Sequence, residues 1–301
     1  MDFKASYLGL YEQGLLKKTA DDLRNKTLHC SLCPRECGVD RSQGKDGICE
    51  SGLLPVVSSW SPHFGEERPL VGRKGSGTIF FTHCNLSCIF CQNYDISHLG
   101  YGREVTHRDL ALMMMSLQGR GCHNINFVSP THMAYAIVEA LVTAVPMGLK
   151  VPLVYNTGGY DSVDTLKLLK GVFDIYMPDF KYADADKAFK LSGIKNYPDV
   201  AWSAITEMYQ QVGDLEIDAA GVARKGLLVR HLVLPNNLAG TRGVVDLLAG
   251  FSKSTYLNIM DQYRPEYRAR ECMDLRRRVT LQEFDEACSY AKGAGMTRVC
   301  M

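Results

Sequence analysis

Cys84-Asn85-Leu86-Ser87-Cys88-Ile89-Phe90-Cys91 constrains this chain more than any other stretch. Its three cysteines are separated by three and two residues and follow the apolar run Thr78-Ile79-Phe80-Phe81. Three thiolates in so short a loop converge on one small volume, and thiolate is the soft ligand that iron–sulfur clusters and zinc select. A four-iron cubane takes four ligands, so three cysteines leave one iron open, and an open coordination position is where a metal site performs chemistry. The competing reading is a zinc knuckle, or three buried cysteines that only brace the fold.

The rest of the composition narrows the class. At 301 residues the chain can form one large α/β domain or two ordinary ones. Lys+Arg of 34 against Asp+Glu of 33 leave a formal charge of +1, which gives no broad footprint for nucleic acid. No apolar run approaches the roughly 20 residues of a membrane span, so no membrane partner is expected. The start Met1-Asp2-Phe3-Lys4 lacks the apolar core of a signal peptide, and the expected location is cytoplasmic. In that compartment, cysteines favour metal ligation over disulfides, and seven of the eleven fall in two tight clusters. Cys122, Cys272, Cys288 and Cys300 are scattered and read as ordinary buried thiols.

Residues 3–28 read as one or two amphipathic helices lying on the main domain. Next comes the second cluster, Cys30, Cys33, Cys37 and Cys49, set among turn formers with almost no apolar periodicity. Such a segment cannot support itself on a core and needs a metal as its staple. Zinc and an auxiliary iron–sulfur cluster both suit four thiolates, and the choice stays open.

From Gly75 onward, apolar runs of strand length at 78–82, 124–129, 151–155, 173–178, 227–234 and 255–260 alternate with helical periodicities at 107–118, 132–143, 161–170, 183–192, 198–211, 242–252 and 281–293. That is the pattern of a parallel sheet built from βα units. The expected organisation is a segment at 1–74, helical and then metal-binding through four cysteines, followed by an α/β domain at 75–301. In parallel sheets ligands bind at the carboxyl ends of the strands. The residues that follow the strands are therefore the candidates: Ser129-Pro130-Thr131-His132, Asn156-Thr157-Gly158-Gly159, Asp179-Phe180-Lys181, and Arg230-His231 near the end of its strand.

The cysteine spacing, with aromatic Phe90 before the last cysteine, resembles the signature of the radical S-adenosylmethionine (SAM) superfamily. Asn156-Thr157-Gly158, Asp179-Phe180-Lys181 and Arg230 followed by Leu232-Val233-Leu234-Pro235 resemble blocks of the glycyl-radical-enzyme activases, the pyruvate formate-lyase activating enzyme group. Cys33-Pro34-Arg35, His63-Phe64-Gly65-Glu66-Glu67 and Met260-Asp261-Gln262-Tyr263 resemble its PflX-type branch, from about residue 30 to the C-terminus. The resemblance implies an incomplete (β/α)6 barrel, with the N-terminal cysteine segment packed at its edge. It also implies a radical SAM oxidoreductase in which a [4Fe–4S] cluster on Cys84, Cys88 and Cys91 reductively cleaves SAM to a 5′-deoxyadenosyl radical for hydrogen abstraction, with a glycyl-radical enzyme as one substrate.

By the same resemblance, Phe90 shields the cluster near the adenine, Asp179 and Lys181 lie beside SAM, and Arg230 approaches a carboxylate of SAM or substrate. This chain has Ser129-Pro130-Thr131 where many members place Gly-Gly-Glu, so the hydroxyl and carbonyl oxygens of Ser129 and Thr131 would receive the SAM amino group. It has Asn156 where activases carry an aspartate of the cation site. An electron donor such as flavodoxin or ferredoxin is the implied partner, together with a protein or peptide substrate. The alternatives are radical modification of a small molecule or peptide, and a non-catalytic iron–sulfur or zinc module that transfers electrons. Bland readings accompany the individual residues: His231 as a structural histidine, Asp179 with Lys181 as a simple ion pair, Gly158-Gly159 as a turn, Met113-Met114-Met115 as core, and Arg276-Arg277-Arg278 as a solvated face.

Overall fold

The alternation of apolar runs and helical periods resolves into a mixed α/β fold with a mostly parallel sheet in the computed structural model, which describes residues 3–44 and 47–300. Met1, Asp2, Lys45, Asp46 and Met301 fall within the two expected domains but lie outside the described residues. The strands are β1 (Val56–His63), β2 (Ser76–Phe81), β3 (Arg103–Glu104), β4 (Ile125–Val128), β5 (Leu153–Thr157), β6 (Ile175–Pro178), β7 (Glu216–Ile217), β8 (Ala223–Leu232), β9 (Tyr256–Met260) and β10 (Val299–Cys300). They run β10-β9-β8-β6-β5-β4-β2-β1-β3, with β7 attached to β8. From β2 to β10 every neighbouring pair on this path is parallel, while β1 is antiparallel to both β2 and β3.

The six expected strands correspond to β2, β4, β5, β6, β8 and β9. β5 and β6 are buried at every position, as expected of parallel strands covered on both faces. β1 was not anticipated. Its sequence, Val-Val-Ser-Ser-Trp-Ser-Pro-His, alternates weakly and carries Pro62, yet it pairs with β2 from Val57 to His63 across the 74/75 position where the second domain was expected to begin. The main core draws on residues from Ala5 to Met296, and a second, smaller cluster gathers Leu70, Val154, Ile175 and Leu228.

Helices start where the sequence supplies caps. Thr106 and Asp109 form a reciprocal capping box for His107–Gly119, and Thr280 with Glu283 does the same for Leu281–Gly293. The N-terminal helices Ser6–Glu12 and Leu15–Leu28 lie on the main body, as their amphipathic pattern implies. The Tyr7 hydroxyl donates to the Val151 carbonyl at 3.0 Å, and buried Asp174 accepts from the amides of Ser6 and Leu153 at 2.8 and 3.1 Å. Met113 and Met114 are core residues, and Arg276, Arg277 and Arg278 are exposed. No helix among the described residues is long and apolar enough to cross a membrane.

Candidate active site

β2 ends at Phe81 and delivers the chain into the cysteine loop, so Cys84, Cys88 and Cys91 sit at the carboxyl edge of the parallel sheet. They line a cavity of about 140 Å³ that also takes in Ser129 after β4, Asn156 on β5, Asp179 and Lys181 after β6, and Arg230 on β8. Each sulfur receives or contacts a polar donor group. The Leu86 amide donates to Cys84 Sγ at 3.4 Å, Ser192 Oγ donates to Cys88 Sγ at 3.0 Å, and Ser97 Oγ lies 3.0 Å from Cys91 Sγ. Donors aimed at sulfur suit thiolates that ligate a soft metal. Burial pushes the Cys84 thiol up to about 12 and raises Cys88 as well, so a cation is needed to hold both as thiolates at neutral pH. Among the described residues no three Cys, His, Asp or Glu side chains are already drawn together as a metal cage.

An ion network lines the same cavity. Asp179 and Arg230 are neighbours across the ends of β6 and β8, where the Phe180 amide donates to the Arg230 carbonyl at 2.8 Å. Asp179 accepts from Lys181 Nζ at 2.6 Å and from Arg230 Nε at 2.8 Å, while Arg230 Nη2 donates to Asn156 Oδ1 at 2.8 Å. Burial alone would raise the Asp179 carboxyl, but Arg230 and Lys181 outweigh it and hold it below its ordinary value. From the turn after β1, Glu66 and Glu67 approach Arg230 Nη1 at 3.7 and 4.0 Å. Burial, with Glu67 and Asp179 nearby, pushes Glu66 up to about 7 against the pull of Arg230. The salt-bridge and cavity-lining readings of Asp179 and Lys181 therefore describe the same side chains.

Other candidates are placed differently. The Thr131 hydroxyl is committed to Asp161, donating to Oδ1 at 2.7 Å, and lies 3.1 Å from the Thr157 hydroxyl. It does not line the cavity, whereas Ser129 does, in a left-handed conformation at φ 58° with its amide bonded to the Asn156 carbonyl. Phe90 is buried edge-on against Tyr182 and Tyr263 and is also absent from the cavity wall. His231 is a core histidine: its nitrogens lie 2.7 Å from the Phe180 carbonyl and 2.9 Å from the Thr241 hydroxyl, and burial lowers it to about 4. Gly158-Gly159 is more than a turn. A Cβ at Gly158 would lie 2.6 Å from Leu86 Cδ1 of the cysteine loop, and one at Gly159, where φ is 82°, would collide with the Asp179 carbonyl.

Several site residues were not singled out in the sequence. Ser192 and Ser97 carry no motif signal. Tyr197, whose hydroxyl lies 2.9 Å from the carbonyls of both Gly158 and Asp179, with one proton shared between them, and accepts from the Lys181 amide, begins a helix that holds no candidate. Glu66 and Glu67 belong to a noted block, His63 to Glu67, but only packing assigns them to Arg230.

The four N-terminal cysteines also share one region. Cys30, Cys33 and Cys49 are buried and Cys37 is half-buried. Arg41, 3% exposed, donates from Nη2 to Cys49 Sγ at 3.1 Å. A Cβ on Gly47 would lie 2.6 Å from Cys37 Sγ, so glycine lets the chain pass that sulfur without displacing it. A larger groove of about 770 Å³, between the helices Thr241–Phe251 and Leu281–Gly293, shares no residue with the cysteine-lined cavity.

The family model of the radical SAM superfamily matches residues 78–212, from β2 to the helix that ends at Val212. An uncharacterized protein of Methanocaldococcus jannaschii is 31% identical over 305 residues, a span covering 97% of this chain and 82% of that protein.

Proposed function

The chain belongs to the radical SAM superfamily, and from that premise we propose that Cys84, Cys88 and Cys91 hold a [4Fe–4S] cluster beside SAM in the cavity at the carboxyl edge of the sheet. The observation that carries this reading is that cavity, which joins three donor-supplied sulfurs to the polar wall of Ser129, Asn156, Asp179, Lys181 and Arg230. A cluster bound there would supply the one-electron reduction by which SAM is cleaved for hydrogen abstraction.

The protein's part is to bind, orient and exclude water. Lys181 and Arg230 offer cationic donors to a carboxylate, and Asp179 holds both in place. Ser129, in its left-handed turn, is the polar group after β4 left to meet the SAM amino group, since Thr131 is occupied by Asp161. Leu86 and Phe81 supply apolar wall that limits access of water to the radical. The six parallel strands β2, β4, β5, β6, β8 and β9 follow one another in chain order, which suits the incomplete (β/α)6 barrel.

In this reading Cys30, Cys33, Cys37 and Cys49 bind a second centre, zinc or an auxiliary cluster, that staples the cysteine segment at 30–49 to a sheet of which β1 is already part. The substrate class we favour is a backbone glycine of a partner enzyme, supported by the blocks at Asn156–Gly158, Asp179–Lys181 and Arg230. A flavodoxin or ferredoxin would supply the electron in the cytoplasm. The test is anaerobic: reduced, reconstituted protein turns SAM into 5′-deoxyadenosine, and Cys88→Ala abolishes this. Undiminished 5′-deoxyadenosine from Cys88→Ala overturns the cluster assignment. Deuterium found in 5′-deoxyadenosine after incubation with a glycine-deuterated protein supports an activase, and label arriving only from a small molecule or peptide overturns it.

A further inference from the structure

Arg41 is a buried cation for which no carboxylate partner is found among the described residues. Its acceptors are the His132 carbonyl, 2.7 Å from Nη1, and Cys49 Sγ, 3.1 Å from Nη2. Burying a guanidinium is strongly unfavourable unless an anion compensates it. The neighbouring groups able to carry that negative charge are the sulfurs of the four-cysteine segment, and sulfurs bound to a metal are thiolates.

The same guanidinium reaches into the catalytic half of the molecule. His132 follows Thr131 in the loop after β4, and its ring Nε2 lies 2.9 Å from the carbonyl of Thr82, two residues before Cys84. On the other side of Cys84, Arg35 Nε donates to the Asn85 carbonyl at 2.9 Å, while its guanidinium lies over the Tyr160 ring, 5.9 Å from the centroid. The Asn85 side chain in turn donates to the Tyr160 carbonyl at 2.7 Å. Both flanks of the first cluster cysteine are thus held from the N-terminal segment, by Arg35 directly and by Arg41 through His132.

We infer that the four-cysteine segment is a metal-dependent clamp on the catalytic cysteine loop, with Arg41 as the positioning residue that joins its thiolates to the loop. The inference rests on the reading that Cys30, Cys33, Cys37 and Cys49 bind a metal. Arginine suits the task because its planar fork serves two acceptors at once, which a lysine ammonium on a flexible stem does not reproduce. Loss of the metal would leave Arg41 without a buried counter-charge and release the His132 end of the clamp.

The experiment compares wild type, Cys30→Ser/Cys33→Ser, Arg41→Gln and Arg41→Lys by metal content, by hydrogen exchange of residues 82–91, and by SAM affinity. The expected result is that the double cysteine variant loses one metal centre. Both Arg41 variants should keep it, exchange through 82–91 at least tenfold faster than wild type, and bind SAM about tenfold more weakly. Identical metal content in wild type and the double cysteine variant overturns the metal reading and the inference with it. Retained metal with unchanged exchange at 82–91 in Arg41→Gln overturns the clamp alone. Should the Arg41 variants fail to fold, Arg35→Gln, on the half-buried strut, decides: faster exchange at Asn85 and Leu86 supports the clamp, and wild-type exchange there overturns it.

Discussion

Asp179 and Lys181 form an ion pair, yet removing one should not resemble removing the other. Asp179 is the shared anion of two cations, 2.6 Å from Lys181 Nζ and 2.8 Å from Arg230 Nε, and all three side chains are only 16–18% exposed. Asp179→Asn leaves Lys181 with no carboxylate partner among the described residues, and leaves Arg230 with Glu66 and Glu67 at 3.7 and 4.0 Å. Breaking a buried pair by deleting one partner costs about 3 kcal/mol or more, which in a chain of 301 residues lowers Tm by about 5 °C or more. Lys181→Met removes a cation instead, keeps the volume filled, and leaves Asp179 paired with Arg230. Its stability should stay within about 1 kcal/mol of wild type. If Lys181 donates to a carboxylate of SAM, the same variant should lose roughly ten- to a hundredfold in SAM affinity. Urea unfolding and equilibrium SAM binding on both variants make the comparison. Equal destabilisation by the two substitutions would refute the shared-anion argument, and wild-type affinity in Lys181→Met would remove Lys181 from the SAM site.

Glu66 gives a pH signature: its folded pKa, about 7, lies above the ordinary value of 4.5, so its contribution to stability is greatest below 4.5 and falls as pH rises toward 7. Glu66→Gln should flatten that decline by at most about 3 kcal/mol between pH 5 and 8, and a stability difference from wild type that does not change with pH counts against it. Gly159→Ala forces an L-residue into φ 82° and into the Asp179 carbonyl, so a loss of at least about 2 kcal/mol in urea unfolding is expected, with weaker SAM binding. Ser192→Ala removes the hydroxyl that donates to Cys88 Sγ and should move the reduction potential of the reconstituted cluster in the negative direction, measured by redox titration.

Which parts of this were readable from the chain depends on how far apart the cooperating residues lie. Cys84, Cys88 and Cys91 occupy one short loop, so their place on one cavity follows from covalent reach in almost any fold, and the preference of thiolate for soft metals is readable from the residue type. β2, β4, β5 and β6 were legible because strands covered on both faces are nearly continuous apolar runs, and β8 and β9 because their apolar positions recur at strand length; the strand-end rule then pointed to Ser129, Asn156, Asp179, Lys181 and Arg230, which do share one cavity. β1 escaped because its weak alternation and Pro62 carry little strand signal; only pairing with β2 makes it a strand. Side-chain direction was beyond sequence as well. Thr131 lies one residue past Pro130 after β4 but turns to Asp161, and Phe90 stands beside Cys91 yet packs into the core with Tyr182 and Tyr263.

Tertiary structure alone decided the long-range partners. Ser192 reaches Cys88 across 104 positions, Asn258 reaches Glu67 across 191, and Arg41 reaches His132 across 91. Local composition cannot encode such pairs, because each is set by how separate elements pack and by the requirement that every buried charge or donor find its complement. The sequence by itself determined the type of chemistry through residues that are neighbours along the chain, and packing determined which distant side chains hold them in place.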